Sequence, residues 1–528
     1  MTLADFGPVP DGEALIVGAG PTGLCLALAM RRLGVAVVVV DAAEAPRADP
    51  RAAVVWPREA ELLAALGLGP RLREAARPLG ATEVFKGGRR LGELPFDGVA
   101  SAFGRPLVIE QHVLQHLMEA ELLDAGGRVR WSTRLIGLTQ APDGVTAELA
   151  RADGSSETLR TSWLVGCDGA RSGVRKALGV GFPGRNAPNL EVVQVKADLD
   201  WPFDPTKGGL FVAPGRALGS FPMPDGRRRF YCFKTIEEPE RTSAPTLDEM
   251  QDLIGGMMGR GPVELRDAEW LSRARFQERI AERLRVGRVL LAGDAAHIWP
   301  AVGGHGMAVG ILGACNLAWR LAAVIRDGGP VGLLDAYGDE QRAQAAVMTR
   351  KMKFDLLERP LPAAALAGLA AILPVALKSR AMRQAIERGL LSDLSLHHRK
   401  SPMSVSRSGG RLRAGDRLPD ARVLVDGQVR RLHELLSFAH WTLIAPISLD
   451  VQRIAPMLTD RTAIRLIQAK PADADASAEL DGLTALLLVR PDGYLAFTAP
   501  PEDLDGLAAY LAAWTPTRAA RTAVPARS

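Results

Sequence analysis

The sequence predicts a multidomain α/β chain: a Rossmann-like unit, an inserted mixed β-sheet domain, and a further unit at the C-terminal end. Three observations predict it. A βαβ pattern with glycines at fixed offsets runs from Ala14 to Asp41, a strand-like and turn-rich segment covers 182–276, and an α/β pattern returns from Gly287 onward. At about 100–200 residues per domain, 528 residues hold two to four domains.

The elements follow in order. Ala14–Val17 is an apolar run, followed by Gly18-Ala19-Gly20-Pro21-Thr22-Gly23, a helical pattern to Leu33, a stop at Gly34 and a second apolar run, Val35–Val40, that ends in Asp41. In such a unit Gly18 makes the tight turn, Gly20 lets backbone N–H groups approach a pyrophosphate, and Gly23 allows close helix–strand packing. Asp41 stands where an acid accepts from a ribose hydroxyl and repels a 2′-phosphate, which suits NAD or the ADP half of FAD. A second formal match, Gly179–Gly184, follows a helix rather than a strand and contains Pro183, so it reads as a helix end and turn. Arg160–Val165 reads as a strand leading into Gly166–Arg175 and a short helix to Leu178. The segment 182–276 is a separate sheet domain, with strands near Leu210–Val212 and Arg229–Phe233. Gly287–His297, a Gly303–Gly306 loop and a packed helix from about Met307 to Ile325 return to the α/β pattern. Past Ser401 a Ser/Arg/Gly linker leads to a unit at 411–515 with strands Ala421–Val425, Thr442–Pro446 and Leu483–Val489, and 516–528 reads as a disordered tail.

Composition narrows the function. With 65 Lys+Arg against 60 Asp+Glu, a net charge of +5, 5% aromatics and no Lys/Arg block, nucleic acid is not an expected partner. The 4 cysteines, Cys25, Cys167, Cys232 and Cys315, are dispersed and form no metal-ligand spacing or disulfide framework, so no metal is expected and a reducing compartment fits. The first 30 residues contain no Lys or Arg, so a signal peptide is not expected and the chain reads as cytoplasmic. The 18 charge-free residues before Lys378 hold Pro360, Pro362 and Pro374 and read as a packed or peripheral helix, not a membrane span.

Three separated motifs, Gly18–Gly23 with Asp41, Cys167–Arg175 and Gly293–Met307, together resemble those of the FAD-dependent aromatic hydroxylases of the p-hydroxybenzoate hydroxylase fold, over nearly the whole chain. The middle motif matches D-G-x-x-S-x-V-R through Asp168, Gly169, Ser172, Val174 and Arg175, and the third matches G-D-A-A-H from Gly293 to His297. The resemblance implies an FAD-binding domain from 1–181 with 277–400, a substrate domain at 182–276 and a thioredoxin-like C-terminal domain. All four cysteines lie upstream of that last domain, which therefore runs no dithiol chemistry. It further implies FAD contacts from Gly18, Gly20, Gly23, Asp41, Arg51, Gln111, Asp168, Asp294, Gly304, Gly306 and Met307. Asp294 reaches the ribityl or ribose part, and the Pro300–Met307 loop runs under the isoalloxazine.

The implied chemistry is reduction of FAD by NAD(P)H, capture of O2 as a C4a-hydroperoxyflavin and transfer of one oxygen to a phenolic or polyketide-like aromatic ring. A water-excluding pocket is needed, with Phe221, Tyr231, Phe233 and Trp299 as candidate lining residues. His305 is the candidate catalytic group, placed to touch substrate or flavin, while His297 belongs to the motif itself and the pair His397-His398 reads as surface or linker. The expected assembly is a monomer or homodimer. His305, Ala308 and Gly313 stand where the family commonly has Gln, Asn and Asp, and Gln115 where it has Glu. These departures leave open an FAD-dependent oxidase or dehydrogenase, or a flavin-holding protein without turnover. NADPH and NADH are not distinguished.

Overall fold

A computed structural model of the chain describes residues 13–46, 52–96, 100–236, 243–298, 304–352, 362–386, 393–461 and 463–517. Arg51, Trp299, Pro300, Gly303 and the end of the tail lie outside them. The first sheet has the strand order Arg285–Val286, Val289–Leu291, Trp163–Gly166, Ala14–Val17, Val37–Val40, Val129–Arg130. All pair in parallel except the first two, which are antiparallel. Chain direction therefore switches sides at Ala14–Val17, flanked by Trp163–Gly166 and Val37–Val40, and the crevice at the carboxyl ends of these strands is where a doubly wound sheet takes its ligand. The strands are short apolar runs because helices cover both faces.

Helix Pro21–Arg32 explains its own composition. It lies between the sheet and helix His305–Asp327, so every residue from Gly23 to Met30 is buried and no polar stripe is needed. Helix His305–Asp327 is mostly apolar, with Asn316 and Arg320 as buried polar exceptions, and is long enough by length and composition to cross a membrane, yet 89% of its apolar window is buried in the fold. It is the central helix of the core.

The second sheet has eight strands, in the order His297–Ile298, Arg266–Ile280, Gly184–Asp198, Arg228–Thr235, Arg216–Pro222, Gly208–Ala213, Ala81–Lys86, Arg89–Pro95. Its last two strands come from far upstream of the segment that sequence assigns to this sheet. Periodicity marks a strand but not which sheet it joins. Val193, Val195, Phe211, Leu218, Phe230 and Cys232 point to one face, where Met250, Leu253 and Ile254 of helix Leu247–Met257 cover them. The two-residue period turns Gln194, Lys196, Phe221, Arg229, Tyr231 and Phe233 to the opposite face, toward the first sheet's domain.

The C-terminal sheet runs Val405–Ser406, Leu495–Ala499, Leu486–Val489, Trp441–Pro446, Ile464–Pro471, Arg422–Val425, Gln428–Arg431. One face, including Trp441, Leu443, Leu486 and Leu488, packs on Trp319, Leu333 and Ala336 of the core helices. The expected linker is thus partly structured, since Val405–Ser406 pairs in parallel with Leu495–Ala499. His398 corrects the sequence reading: it is buried against Tyr494 at 4.4 Å, whereas His397 is exposed as expected.

Candidate functional site

The three motifs, distant in sequence, meet at the crevice. A methyl group on Gly18, which has φ +107°, would strike the Cys167 carbonyl, and one on Gly23 would strike the Gly18 carbonyl. Thr22 fills the space beside two further glycines: a methyl on either Gly293 or Gly310 would meet its Oγ1 at 2.5 Å. Arg175 closes the ring by donating from Nη1 to the Ala295 carbonyl at 2.9 Å and from Nη2 to the Ala170 carbonyl at 2.9 Å. These contacts fix the motifs to one another.

Other glycines face open space. Nothing lies within 4 Å of the position a Cβ would take on Gly20, Gly169 or Gly306, one from each motif. Gly20 has an ordinary φ of −69° and Gly306 sits in the first helical turn, where glycine costs about 1 kcal/mol relative to alanine. Gly169 has a left-handed φ of +79° that itself favours glycine, but at Gly20 and Gly306 neither conformation nor packing within the chain calls for it. Room for a bound group does, so the residues fit a dinucleotide. The helix N-termini at Gly20 and Gly304 supply unsatisfied N–H donors on either side of that space, and no side chain caps them.

The acidic candidates are held by backbone. Asp41 accepts from Ala19 N at 2.7 Å and Ala43 N at 2.8 Å. Asp168 Oδ2 accepts from Gly173 N at 2.7 Å and Val174 N at 3.1 Å at the start of a helix, while its Oδ1 is buried with no partner. Asp294 is exposed at the head of a 3-10 turn, Gly293–Ala295. Gln111 opens helix Gln111–Asp124, accepts from Ala52 N at 3.3 Å and donates to Gln115 at 3.2 Å.

His305 lies at the first turn of its helix, beside Gly304 and Gly306. Its ring is 5% exposed, stacks on Trp56 with centroids 4.9 Å apart and planes at 15°, and its Nδ1 lies 2.7 Å from Asp393 Oδ2. Glu59, fully buried nearby, has its carboxyl pushed well above the usual range by burial, with the charge of Asp393 adding to it. His297 is buried too, and burial lowers its pKa to about 4, so it is neutral. Met307 is partly buried against the core.

The sheet face opposite this crevice is aromatic and carries cations. Phe221 packs beside Val54, Trp56 and Ala308, joining the second sheet to helix His305–Asp327. Tyr231 stands edge-on to Phe221 at 6.2 Å. Phe233 packs on Phe276 and Val192, beneath the surface of the face rather than on it. Sequence reasoning missed the polar members. Arg229 has no exposed surface, donates to Gln194 Oε1 at 3.1 Å and lies 3.8 Å from the centre of the Trp270 ring. Desolvation lowers its pKa. Trp270 holds a left-handed φ of 53° where strand Arg266–Ile280 changes register, and such strained bulges re-aim side chains near sites. Lys196 pairs at 2.5 Å with Glu110, the N-cap of helix Gln111–Asp124. The available signal was alternation: Arg229, Tyr231 and Phe233 lie at i, i+2, i+4 of one strand. Among the described residues no cluster forms a metal site.

Comparison with known proteins agrees with this geometry. The FAD binding domain model matches residues 11–352, and the model of the aromatic-ring hydroxylase C-terminal region matches 412–517. A flavin-dependent monooxygenase of Mycobacteroides abscessus is 34% identical over 91% of this chain and 96% of its own. The 12-dehydrotetracycline 5-monooxygenase/anhydrotetracycline 6-monooxygenase of Streptomyces rimosus is 32% identical over 95% of this chain and 98% of its own. Aklavinone-11 hydroxylase, solved with FAD and aklavinone, superposes with a TM-score of 0.74 at 26% identity, covering 96% of this chain and 99% of that one. Matched from its dinucleotide crevice through its C-terminal sheet, the chain belongs to the FAD-dependent aromatic-ring hydroxylases and is a flavoprotein monooxygenase.

Proposed function

We propose that the enzyme uses NAD(P)H and O2 to hydroxylate a polycyclic, phenolic aromatic substrate held between the Phe221–Tyr231 face and the flavin ring. The observation that supports this best is the meeting of Phe221 with Trp56 and Ala308, which brings the aromatic face against the end of the crevice that Gly304 and Gly306 frame. FAD, when bound, supplies electron transfer from the coenzyme and activation of O2 for transfer to an electron-rich ring. The chain supplies the rest. Gly18, Gly20 and Gly23 let the backbone approach the pyrophosphate, Asp41 and Gln111 serve the adenosine ribose, Asp294 serves the ribityl chain, and the N–H groups after Gly304 offset negative charge at the ring's pyrimidine edge. Arg51 and Trp299, outside the described residues, keep their roles as expectations. Arg229, buried beneath Tyr231 and hydrogen-bonded to Gln194, favours phenolate, the reactive form, by acting as a buried cation through those two side chains.

We read the chain as an FAD unit, 1–181 with 277–400, a substrate unit, 182–276, joined by strands Ala81–Lys86 and Arg89–Pro95, and a thioredoxin-like unit, 411–515. The last reading is supported by its central strands, where Trp441–Pro446 pairs in parallel with Ile464–Pro471 and antiparallel with Leu486–Val489, and by helix Leu504–Trp514 against the sheet.

The test is to purify the protein, record its flavin spectrum and follow NADPH and NADH oxidation with a panel of polycyclic phenols under 18O2, with peroxide measured in parallel. Substrate-stimulated oxidation and a product carrying one labelled oxygen are expected. Oxidation that yields only peroxide across the panel overturns the hydroxylase reading in favour of an oxidase. Arg229→Gln is expected to lower kcat/KM about 100-fold, with its pH profile shifted upward as the phenol's own ionisation takes over.

A further inference from the structure

The C-terminal sheet enters the FAD unit as a wedge of charge. The turn between strands Leu486–Val489 and Leu495–Ala499 carries Arg490, Asp492 and Tyr494 into a space where Arg58, Asn316, Arg320, Glu340, Arg490 and Asp492 are each no more than 2% exposed. Arg490 binds Asp492 through Nε at 2.9 Å and Nη2 at 2.5 Å, and reaches Glu340 Oε1 at 2.8 Å. Asn316 donates from Nδ2 to Glu340 at 2.8 Å and to Asp492 Oδ2 at 3.1 Å, and Arg320 pairs with Glu340 at 2.7 Å. On the other side Arg58 donates to the Asp492 carbonyl and lies 4.9 Å from the centre of the Tyr494 ring. A second tie runs from Arg417 Nε to Glu61 Oε2 at 2.9 Å.

The elements gripped are not arbitrary. Arg58 and Glu61 belong to helix Pro57–Ala65, whose N-cap is Trp56, and Asn316 and Arg320 belong to helix His305–Asp327. These two helices present their N-terminal ends, Trp56 and His305, stacked on each other beside Gly304. The turn therefore holds both helices that frame the ring end of the crevice, about 16 Å from His305 at ~1.5 Å per residue along the second. Apolar packing alone tolerates sliding of one surface over another. Buried ion pairs are a costly way to gain stability but they do define direction and register.

Building on the FAD reading above, we propose that Asp492 and Arg490 are positioning residues. Through Arg58 and Asn316 they set the helix that begins after Gly304 against the flavin's pyrimidine edge, and so set how strongly the protein favours reduced over oxidised FAD. The C-terminal unit is then a fixed part of the redox site rather than a separable module.

The test measures the flavin midpoint potential and FAD affinity of full-length Asp492→Asn and Arg58→Met, with urea unfolding as a control. Asn keeps the turn's shape and removes the charge. Met fills the volume of Arg58 and releases its grip on the Asp492 carbonyl while leaving the Arg490–Asp492 pair intact. The expected result is retained FAD with a tenfold weaker preference for the reduced form, a midpoint about 30 mV more negative for a two-electron couple. A purely structural role lowers the urea midpoint or FAD content but leaves the potential of the bound flavin at the wild-type value, and that result overturns the proposal. Loss of folding in both variants overturns it as well, because the turn then serves folding and not position. If the wild-type protein takes up no FAD, the flavin reading fails first, and that result is read before either variant is made.

Discussion

At the residue scale the glycine pattern separates folding from ligand binding. Gly23→Ala places a methyl group against the Gly18 carbonyl and is expected to abolish soluble folded protein or cut its stability by several kcal/mol. Gly20→Ala meets nothing within 4 Å, so its urea midpoint should match wild type while its FAD Kd rises at least tenfold. An unchanged FAD affinity in Gly20→Ala removes the pyrophosphate from that position. Three of the four departures from the family pattern have packing partners within the chain. Gly313 leaves room for Gln341, whose Oε1 would lie 2.7 Å from a methyl there, and Ala308 and His305 both pack under Trp56. The sequence exposed each departure singly. It carried no sign that Trp56 and Gln341 fill the space, because a compensating partner 28 residues downstream or far upstream has no spacing rule.

At the element scale, the identity of each strand and helix was legible and its partners were not. The runs at Ala14–Val17, Thr442–Pro446 and about Met307–Ile325 are apolar, and the structure places elements there, the first with the same ends and the others extended at their ends by one or two residues, Trp441–Pro446 and His305–Asp327. Strands Ala81–Lys86 and Arg89–Pro95 joined a sheet more than 100 residues away, a pairing that depends on long-range closure and leaves no local trace. The substrate sheet turns this alternation into a paired prediction. Phe230 points to the covered face against Met250 and Ile254, so Phe230→Ala should cost about 3–5 kcal/mol in urea unfolding. Phe221 is half-buried on the opposite face, so Phe221→Ala should cost less stability and instead raise KM for the aromatic substrate and increase peroxide release. Equal effects of the two variants on both measurements would contradict the assignment of faces.

At the scale of the whole molecule, the interface that carries the C-terminal unit is built from groups that sequence reads as solvated. Arg490, Asp492 and His398 sit near turn residues in a chain with 24% charged content, and nothing local marks them as core. Their burial gives the assembled protein an acid sensitivity. Burial lowers the pKa of His398 from 6.5 to about 4 despite the pull of Glu340, and His297 falls to about 4 for the same first reason. The unfolded chain therefore binds more protons than the native one between those values. Stability contributed by the neutral histidines is fully present above pH 6.5 and is lost as pH falls toward 4, by about 2 kcal/mol per histidine at pH 5. Glu340 acts in a lower window: burial opposes its charge, but Arg320 and Arg490 hold it well below the usual carboxylate range. Its contribution is present above the usual carboxylate pKa and is lost only in stronger acid. Urea midpoints measured from pH 7.5 to 4.5 should thus begin to fall near pH 6.5, before carboxylates in the usual range titrate, with buried Glu59, whose pKa burial raises, pulling in the opposite direction. His398→Gln should flatten part of that early slope, leaving the shares of His297 and of His433, whose pKa burial also lowers. A profile flat to pH 5 in the wild-type protein would mean that water reaches these histidines, and that the interface holding the Arg490–Tyr494 turn opens on its own.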